Sequence, residues 1–497
     1  MSQANLVLIN TTKTTLGPSS LIQYLHGRHI HADFIYAPKH ADMLYDVQEI
    51  ALLINELRSY KIVGISCFTI SEARAFQLAE KVKSVYPHIH VMLGGPNVIM
   101  DTERILRESK ADSVCIHEGE IPLENFLANY GTPEATSVAG LWFKTSDSII
   151  KNPYAQALQN LDVIPLENYK NSLWGSFKRL TPKGFVSETT IAEQIENPCM
   201  HGKFLYMMTT RGCPYSCTYC INETLNAISL QTNCSQVRRM STVAIIHNLK
   251  EAVIESPDIE KIFFFDDDFS LRSEEDLEGF ALSYSQEIGL PFYIFANPNT
   301  TSNKKLDLYA KAGIRSIEFG VQTVSYRVLE KYNRDQNAQH FQRIMQHVTM
   351  KDYDFEVSFD IITNSPFETT ADVEENIRYV LSLPGKFQLY VHSLHLFPGS
   401  TLTRELGRGT GNELHEYQDN YSGHPTVFYN ELQAKILFAM QGWHSPQDPD
   451  TYGCLTRRDI LSMLDSPETE QGGVIKLLDE KMSSTRVANY YRELHKG

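Results

Sequence analysis

Short apolar runs that end in small or polar residues recur along this chain, with helix-length stretches between them. In the first third they are Leu6-Val7-Leu8-Ile9, Lys61 to Ser66, His90 to Pro96 and Ser113 to Glu120. Helical stretches lie between them at Ser71 to Val85 and Asp101 to Ser109, and Ser19 or Ser20 is placed to cap a helix from Leu21 to about His26. Strands alternating with helices predict a parallel, doubly wound sheet. Such sheets bind ligands beyond the carboxyl ends of their strands. Ser66, Gly94-Gly95-Pro96 and Glu118-Gly119-Glu120 fall there. A Gly-Gly-Pro sequence is also an ordinary turn.

The alternation returns after residue 200, with a helix at Ser241 to Val253 and strands at Glu260 to Phe265, Phe292 to Phe295, Ser316 to Gly320, Glu356 to Asp360 and Leu389 to Phe397. Ahead of these, the apolar run Phe204 to Met208 leads into Thr209-Thr210-Arg211-Gly212-Cys213-Pro214-Tyr215-Ser216-Cys217-Thr218-Tyr219-Cys220. Arg-Gly-Cys-Pro is turn material, so three thiols sit on a loop at a strand end, at spacings of four and three residues. An iron–sulfur cluster of four irons normally takes four thiolates, so a set of three leaves one iron open. A zinc site wants a fourth ligand, which Cys199 or Cys234 could supply. Three unrelated packed thiols are the remaining alternative. Further on, Asp266-Asp267-Asp268 end a strand. Like charges held together need a cation or donors beside them.

A length of 497 residues predicts two or three domains. A net charge of -15 argues against nonspecific binding to a nucleic-acid backbone. No apolar run reaches the length of a membrane span, and Met1 to Asn5 lacks the basic start of a signal peptide. Eight cysteines, three of them clustered, suggest a reducing cytoplasm. Pro153, Pro165, Pro182 and Pro198 break up residues 151–200, which read as a linker; 174–196 match no regular pattern. Phe428 to Met440 and Thr456 to Leu464 look helical, Gly407 to Gly411 reads as a loop, and Cys454 as a packed thiol.

The cysteine spacing, with Tyr219 before the last cysteine, resembles the signature of the radical S-adenosylmethionine (SAM) enzymes. The strand ends before it resemble the cobalamin-binding domain of one large class of these enzymes. Leu161 to Pro165, Phe264-x-Asp266-Asp267-x-Phe269 and Phe397-Pro398-Gly399-Ser400 resemble that class's bridge, carboxylate element and closing motif. The resemblance implies a Rossmann-like cobalamin domain over 1–150, a linker over 151–200, a partial (β/α)6 TIM-like barrel over 201–405 and a mainly helical, substrate-capping region over 406–497.

It further implies that Cys213, Cys217 and Cys220 bind a 4Fe-4S cluster whose open iron takes SAM. Tyr219, Asp266, Asp267, Glu318, Gln322, Ser358 and Asp360 are the implied SAM contacts, Asp266 ahead of Asp267 for the methionine ammonium. Thr14, Gly17, Ser66, Phe68, Thr69, Gly94, Gly95, Pro96, Asn97, Glu118, Gly119 and Glu120 are the implied cobalamin contacts. Gln322 stands where the class usually has glutamate, and Asn364 to Thr369 lacks both glycines of the usual loop. The Asp-x-His-x-x-Gly pattern is absent, so the resemblance implies no histidine ligand on cobalt. His392 and His395, drawn on opposite sheet faces, are each as readily structural as proton-handling.

The implied activity is reductive cleavage of SAM to a 5′-deoxyadenosyl radical, followed by methylation of an unactivated carbon from methylcobalamin. The implied substrate is a small, secondary-metabolite molecule, and the implied electron donor a flavodoxin or ferredoxin. The alternatives are ring contraction, cyclisation or oxidative rearrangement on the same fold, and a noncatalytic cobalamin or iron–sulfur sensor.

Overall fold

The computed structural model describes residues 5–12, 16–39, 43–164, 177–187, 203–406, 430–444, 451–452, 455–467 and 470–483. The first sheet begins with β1 (Leu6–Asn10), β2 (Ala32–Tyr36), β3 (Ile62–Ser66), β4 (His90–Gly94) and β5 (Ser113–Cys115). These five run parallel in the spatial order β5-β4-β3-β1-β2. A hairpin of β6 (Leu141–Lys144) and β7 (Ile149–Lys151) extends one edge antiparallel. Strand alternation sends Leu6 and Leu8 to one face of β1 and Val7 and Ile9 to the other. The first pair packs with the helices Leu16–Gly27 and Glu120–Asn129. The second packs with the helices Val47–Leu57 and Glu72–Val85. Strand order reverses between β1 and β3, so the crevice of this doubly wound sheet opens beside those two strand ends.

Two local expectations change. The first helix starts at Leu16, not Leu21, and Ser19 and Ser20 lie inside it. Pro18 sits in its first turn, where an absent N–H breaks no helical bond. Residues 177–187 form β8 (Phe177–Thr181) and β9 (Gly184–Ser187), and β8 pairs parallel onto β2. Part of the segment that reads as linker therefore completes the edge of the first sheet.

The second sheet carries β10 (Phe204–Met207), then, beyond the short ribbon of β11 (Thr210–Arg211) and β12 (Arg238–Arg239), β13 (Lys261–Phe264), β14 (Phe292–Ala296), β15 (Ile314–Gln322), β16 (Glu356–Thr363) and β17 (Phe387–Ser393). Six parallel strands in sequence order make the partial barrel, and β18 (Gly442–His444) adds antiparallel to β17. Ile262, Phe264, Ile294, Ile317, Phe319 and Phe359 point outward and pack with the surrounding helices. Leu432, Ile436 and Leu437 of the helix Glu431–Ala439 join this same core. Strand β17 ends at Ser393, so His395 lies beyond the sheet and the expected opposition of His392 and His395 across it does not arise. Among the described residues no helix is long and apolar enough to cross a membrane.

Candidate functional site

Asp266 anchors the cysteine loop. It stands just beyond β13 and is fully buried. Its carboxylate accepts from the Thr209 amide at 2.5 Å, the Thr209 hydroxyl at 2.5 Å and the Thr210 amide at 2.9 Å. Arg272 donates to the same hydroxyl at 2.9 Å. Burial pushes the Asp266 pKa up, against the pull of Arg272 and these donors. Asp268 is equally committed, accepting from the Ser270 amide at 2.9 Å, its hydroxyl at 2.5 Å and the Thr300 hydroxyl at 2.8 Å. Asp267 alone of the three opens to a cavity. Asp266, the first choice for the ammonium contact, thus has its oxygens engaged by Thr209 and Thr210 inside the fold, while Asp267 is the one that faces open space.

Gly212 follows with φ of 86°, and a Cβ there would lie 1.9 Å from the Gln236 carbonyl oxygen. Only glycine fits both the left-handed backbone and that approach. The loop is then pinned from a distance. Thr218 donates its amide to the Tyr332 carbonyl at 3.0 Å and its hydroxyl to the Lys331 carbonyl at 2.7 Å, and Asn333 donates to the Ser216 carbonyl at 2.9 Å. Cys220 occupies the N-cap position of the helix Ile221–Gln231 without a capping side-chain hydrogen bond. Burial pushes the thiols of Cys213 and Cys220 up to about 12 and about 11, where they stay protonated until a metal takes the proton's place. Asn222 Nδ2 approaches Cys220 Sγ at 3.7 Å. Arg334 Nη1 approaches Cys217 Sγ at 3.7 Å and the Tyr219 hydroxyl at 3.4 Å, while its Nη2 donates to the Gly320 carbonyl. Donors beside sulfur suit a cluster, whose potential depends on them. Among the described residues, no three His, Cys, Asp or Glu side chains converge as one metal ion requires.

Alternate residues of the barrel strands face inward. On one side are Tyr206, Phe263, Phe265, Tyr293 and Phe295, with ring centroids 5.1 to 6.2 Å apart. On the other, Glu318 is in register with Ser358, and Gly320 with Asp360. Burial, and then the neighbouring Asp360 carboxylate, push the Glu318 pKa up to about 8. His392 Nε2 lies 3.3 Å from Asp360 Oδ1. At the end of β15, Gln322 has φ of 70°, and its buried Oε1 accepts no hydrogen bond within the protein. A ribose hydroxyl is the kind of donor that this oxygen lacks.

A cavity of about 470 Å³ lies between the two sheets. Gly17, Ser66, Phe68, Gly94, Gly95 and Pro96 line one wall with Glu118, Gly119 and Glu120. Tyr206, Arg211, Asn222 and Asp267 face them. Gly95 has φ of 111°, and a Cβ there would come within 2.9 Å of the Cys67 carbonyl oxygen. Thr69 and Asn97 are absent from this wall: Thr69 donates to Asn97 at 3.1 Å, and Asn97, fully buried, donates to Glu72 at 2.5 Å. Their polar groups serve the turn after β3. Thr14 lies outside the described residues, as do Cys199, Cys454 and Gly407 to Gly411.

Residues 7–127 match the B12 binding domain and residues 207–380 the Radical SAM superfamily. The chain thus joins a B12 binding domain to a radical SAM superfamily domain, the pairing that names the cobalamin-dependent radical SAM enzymes. It is similar to the uncharacterized methyltransferase PH0819 of Pyrococcus horikoshii, 26% identical over 65% of this chain and 64% of that protein. It is also similar to the cobalamin-dependent radical SAM methyltransferase TokK of Streptomyces tokunonensis, 21% identical over 72% of this chain and 51% of that protein. The chain thus spans less than two thirds of either relative. Two solved structures share the fold. TsrM from Kitasatospora setae, a radical SAM methyltransferase with cobalamin and a 4Fe-4S cluster bound, has a TM-score of 0.62 at 14% identity, over 82% of this chain and 78% of that one. OxsB, with aqua-cobalamin and SAM bound, has a TM-score of 0.61 at 12% identity, over 100% of this chain and 84% of that one.

Sequence reasoning missed Arg334, Asn222, Arg211 and His117, all of which stand at the cysteine loop or the cavity wall. Arg334 carries no local signal for this role, since its partners on the cysteine loop, Cys217 and Tyr219, lie 117 and 115 positions away. Arg211 and Asn222 flank the cysteines, where position alone could have flagged them.

Proposed function

We propose that this enzyme methylates an unactivated carbon of a small molecule, with Cys213, Cys217 and Cys220 holding a 4Fe-4S cluster and the cavity between the sheets holding cobalamin. The carrying observation is that one cavity is walled on one side by the strand ends of the first sheet and on the other by Asn222 and Asp267. A group in it touches both domains. When bound, cluster and SAM together supply a 5′-deoxyadenosyl radical, and cobalamin carries the methyl group.

The chain's own residues bind and orient. Asp267 receives the SAM ammonium by a charge-assisted hydrogen bond. The orphaned Gln322 oxygen accepts from the ribose, Tyr219 packs beside the cluster, and Glu318, Ser358 and Asp360 line the approach from the barrel. Gly17, Ser66, Phe68, Gly94, Gly95, Pro96 and Gly119 give the corrin a low, partly apolar wall. The aromatic side of the barrel excludes water from the substrate. A single-electron donor of the flavodoxin or ferredoxin class, in a reducing cytoplasm, supplies the electron.

His117 is the only histidine in the cavity wall among the described residues, and burial pushes its pKa down. The reading leaves it off cobalt. Splitting by a histidine nitrogen in the cob(II)alamin electron paramagnetic resonance (EPR) spectrum, lost in His117→Ala, would reverse that point.

Anaerobic reconstitution, metal analysis and turnover with SAM and a reductant test the whole proposal. Four irons and one cobalamin per chain, with 5′-deoxyadenosine and S-adenosylhomocysteine both formed, are the expected outcome. 5′-Deoxyadenosine alone, with a converted substrate, would indicate rearrangement in place of methylation. No SAM cleavage by the fully loaded enzyme with substrate present would leave only a sensor.

A further inference from the structure

The β11–β12 ribbon reaches from the barrel into the first domain. Arg211 and Arg238 are register partners across it, and both guanidinium groups end on the loop that follows β5. Glu118 accepts from Arg211 at 3.0 Å and from the two Nη atoms of Arg238 at 2.9 and 2.5 Å. Glu120 accepts from Arg211 at 2.6 Å, and Ser20 accepts from the same nitrogen at 2.6 Å. Arg238 also donates to the Leu158 carbonyl at 2.7 Å. Two positive and two negative side chains are thus matched, with exposures of 14% and 5% for the arginines and 18% and 4% for the glutamates.

All four also stand in the wall of the cavity between the domains. The sequence places Arg211 two residues before Cys213. The neighbouring Thr210 amide is held from the barrel side by Asp266. One short strand is therefore fixed by the barrel at one residue and by the first domain at the next, directly ahead of the first cluster cysteine.

Burying ion pairs costs desolvation, so apolar packing would join two domains at less cost. What forked guanidinium–carboxylate contacts add is geometry, because they fix separation and angle together. We propose that Arg211 and Arg238 are positioning residues that hold the loop 117–120 against the cysteine loop and so set the separation between cobalamin and the iron–sulfur cluster. This rests on the functional reading above.

The test uses the full chain, reconstituted with iron and sulfide and titrated with hydroxocobalamin, as wild type, Arg238→Gln, Arg238→Lys and Arg211→Lys. In Arg238→Gln we expect iron content to stay at the wild-type level. Hydroxocobalamin should bind at least about tenfold more weakly, as for other lost outer-sphere partners. The magnetic coupling between cob(II)alamin and the reduced cluster in EPR should weaken and broaden. Arg238→Lys keeps the charge without the fork, so it should recover part of the affinity while its coupling stays broadened.

A merely structural role would lower the melting temperature and leave the coupling of the surviving folded protein unchanged. Wild-type affinity and coupling in Arg238→Gln and Arg211→Lys would overturn the proposal. If Arg238→Gln does not fold, unchanged coupling in the two lysine variants overturns it equally. Wild-type protein that loads iron but takes no hydroxocobalamin would remove the functional reading, and this proposal with it.

Discussion

Asp266, Asp267 and Asp268 show how neighbouring carboxylates divide their roles. The outer two spend their oxygens on Thr209, Thr210, Ser270 and Thr300, and the middle one faces the cavity. Asp266→Asn turns an amide NH2 toward groups that themselves donate. It should destabilise the protein by about 2–4 kcal/mol, read by denaturant unfolding, and lower iron loading. Asp267→Asn should keep fold and iron, and weaken SAM binding by about tenfold through loss of a charged contact; unchanged SAM affinity would exclude Asp267 from the site. Glu318 adds a pH dependence. Its folded pKa is raised from 4.5 to about 8 by burial and by Asp360. The stability held by its neutral form is therefore full below the unfolded value and is lost as pH rises through about 8. Between about pH 6 and pH 9 the cofactor-free protein should lose on the order of 2 kcal/mol, and Glu318→Gln should flatten that decline in thermal melts.

At the scale of elements, the ribbon of β11 and β12 leads directly into the cysteine loop. Its turn into Cys213 has two requirements at Gly212, a φ of 86° and space for the Gln236 carbonyl. Gly131 shares the φ of 86° but has nothing within 4 Å of a would-be Cβ. Gly131→Ala should therefore cost only backbone strain, about 1 kcal/mol. Gly212→Ala must also displace the ribbon, so iron loading should fall well below that of Gly131→Ala at equal protein recovery. Matching iron content in the two variants would mean that the close approach does not govern the loop.

At the scale of the whole molecule, the cavity between the domains makes ligand binding a contribution to joint stability. A ligand that binds only the folded pair stabilises it by about 2.7 kcal/mol at a concentration of 100 times its dissociation constant. Hydroxocobalamin should accordingly raise the melting temperature in a concentration-dependent way, with both domains shifting together. A shift confined to one of two resolved transitions would show that the cavity walls act separately.

Much of this was legible in the chain itself. Periodicity and length predicted the doubly wound sheet, because buried parallel strands must be short apolar runs with helices between them, and β1, β3, β4 and the barrel strands lie on those runs. The cysteine spacing marked the loop, since three thiols so near in sequence at a strand end are close enough to converge on one centre. Residues 177–187 escaped because a two-stranded edge has weak periodicity and gains its stability from pairing with β2. Tertiary structure alone decided which polar groups are spent internally. Asp266, Asp268, Thr69 and Asn97 look as available as Asp267 in the sequence, but burial brings donors to them from elsewhere in the fold. Arg334 meets the cysteine loop, and Arg211 and Arg238 meet Glu118, only because strands distant in sequence end side by side. The sequence by itself determined the chemistry on offer; the packing of two sheets determined which side chains face the space between them.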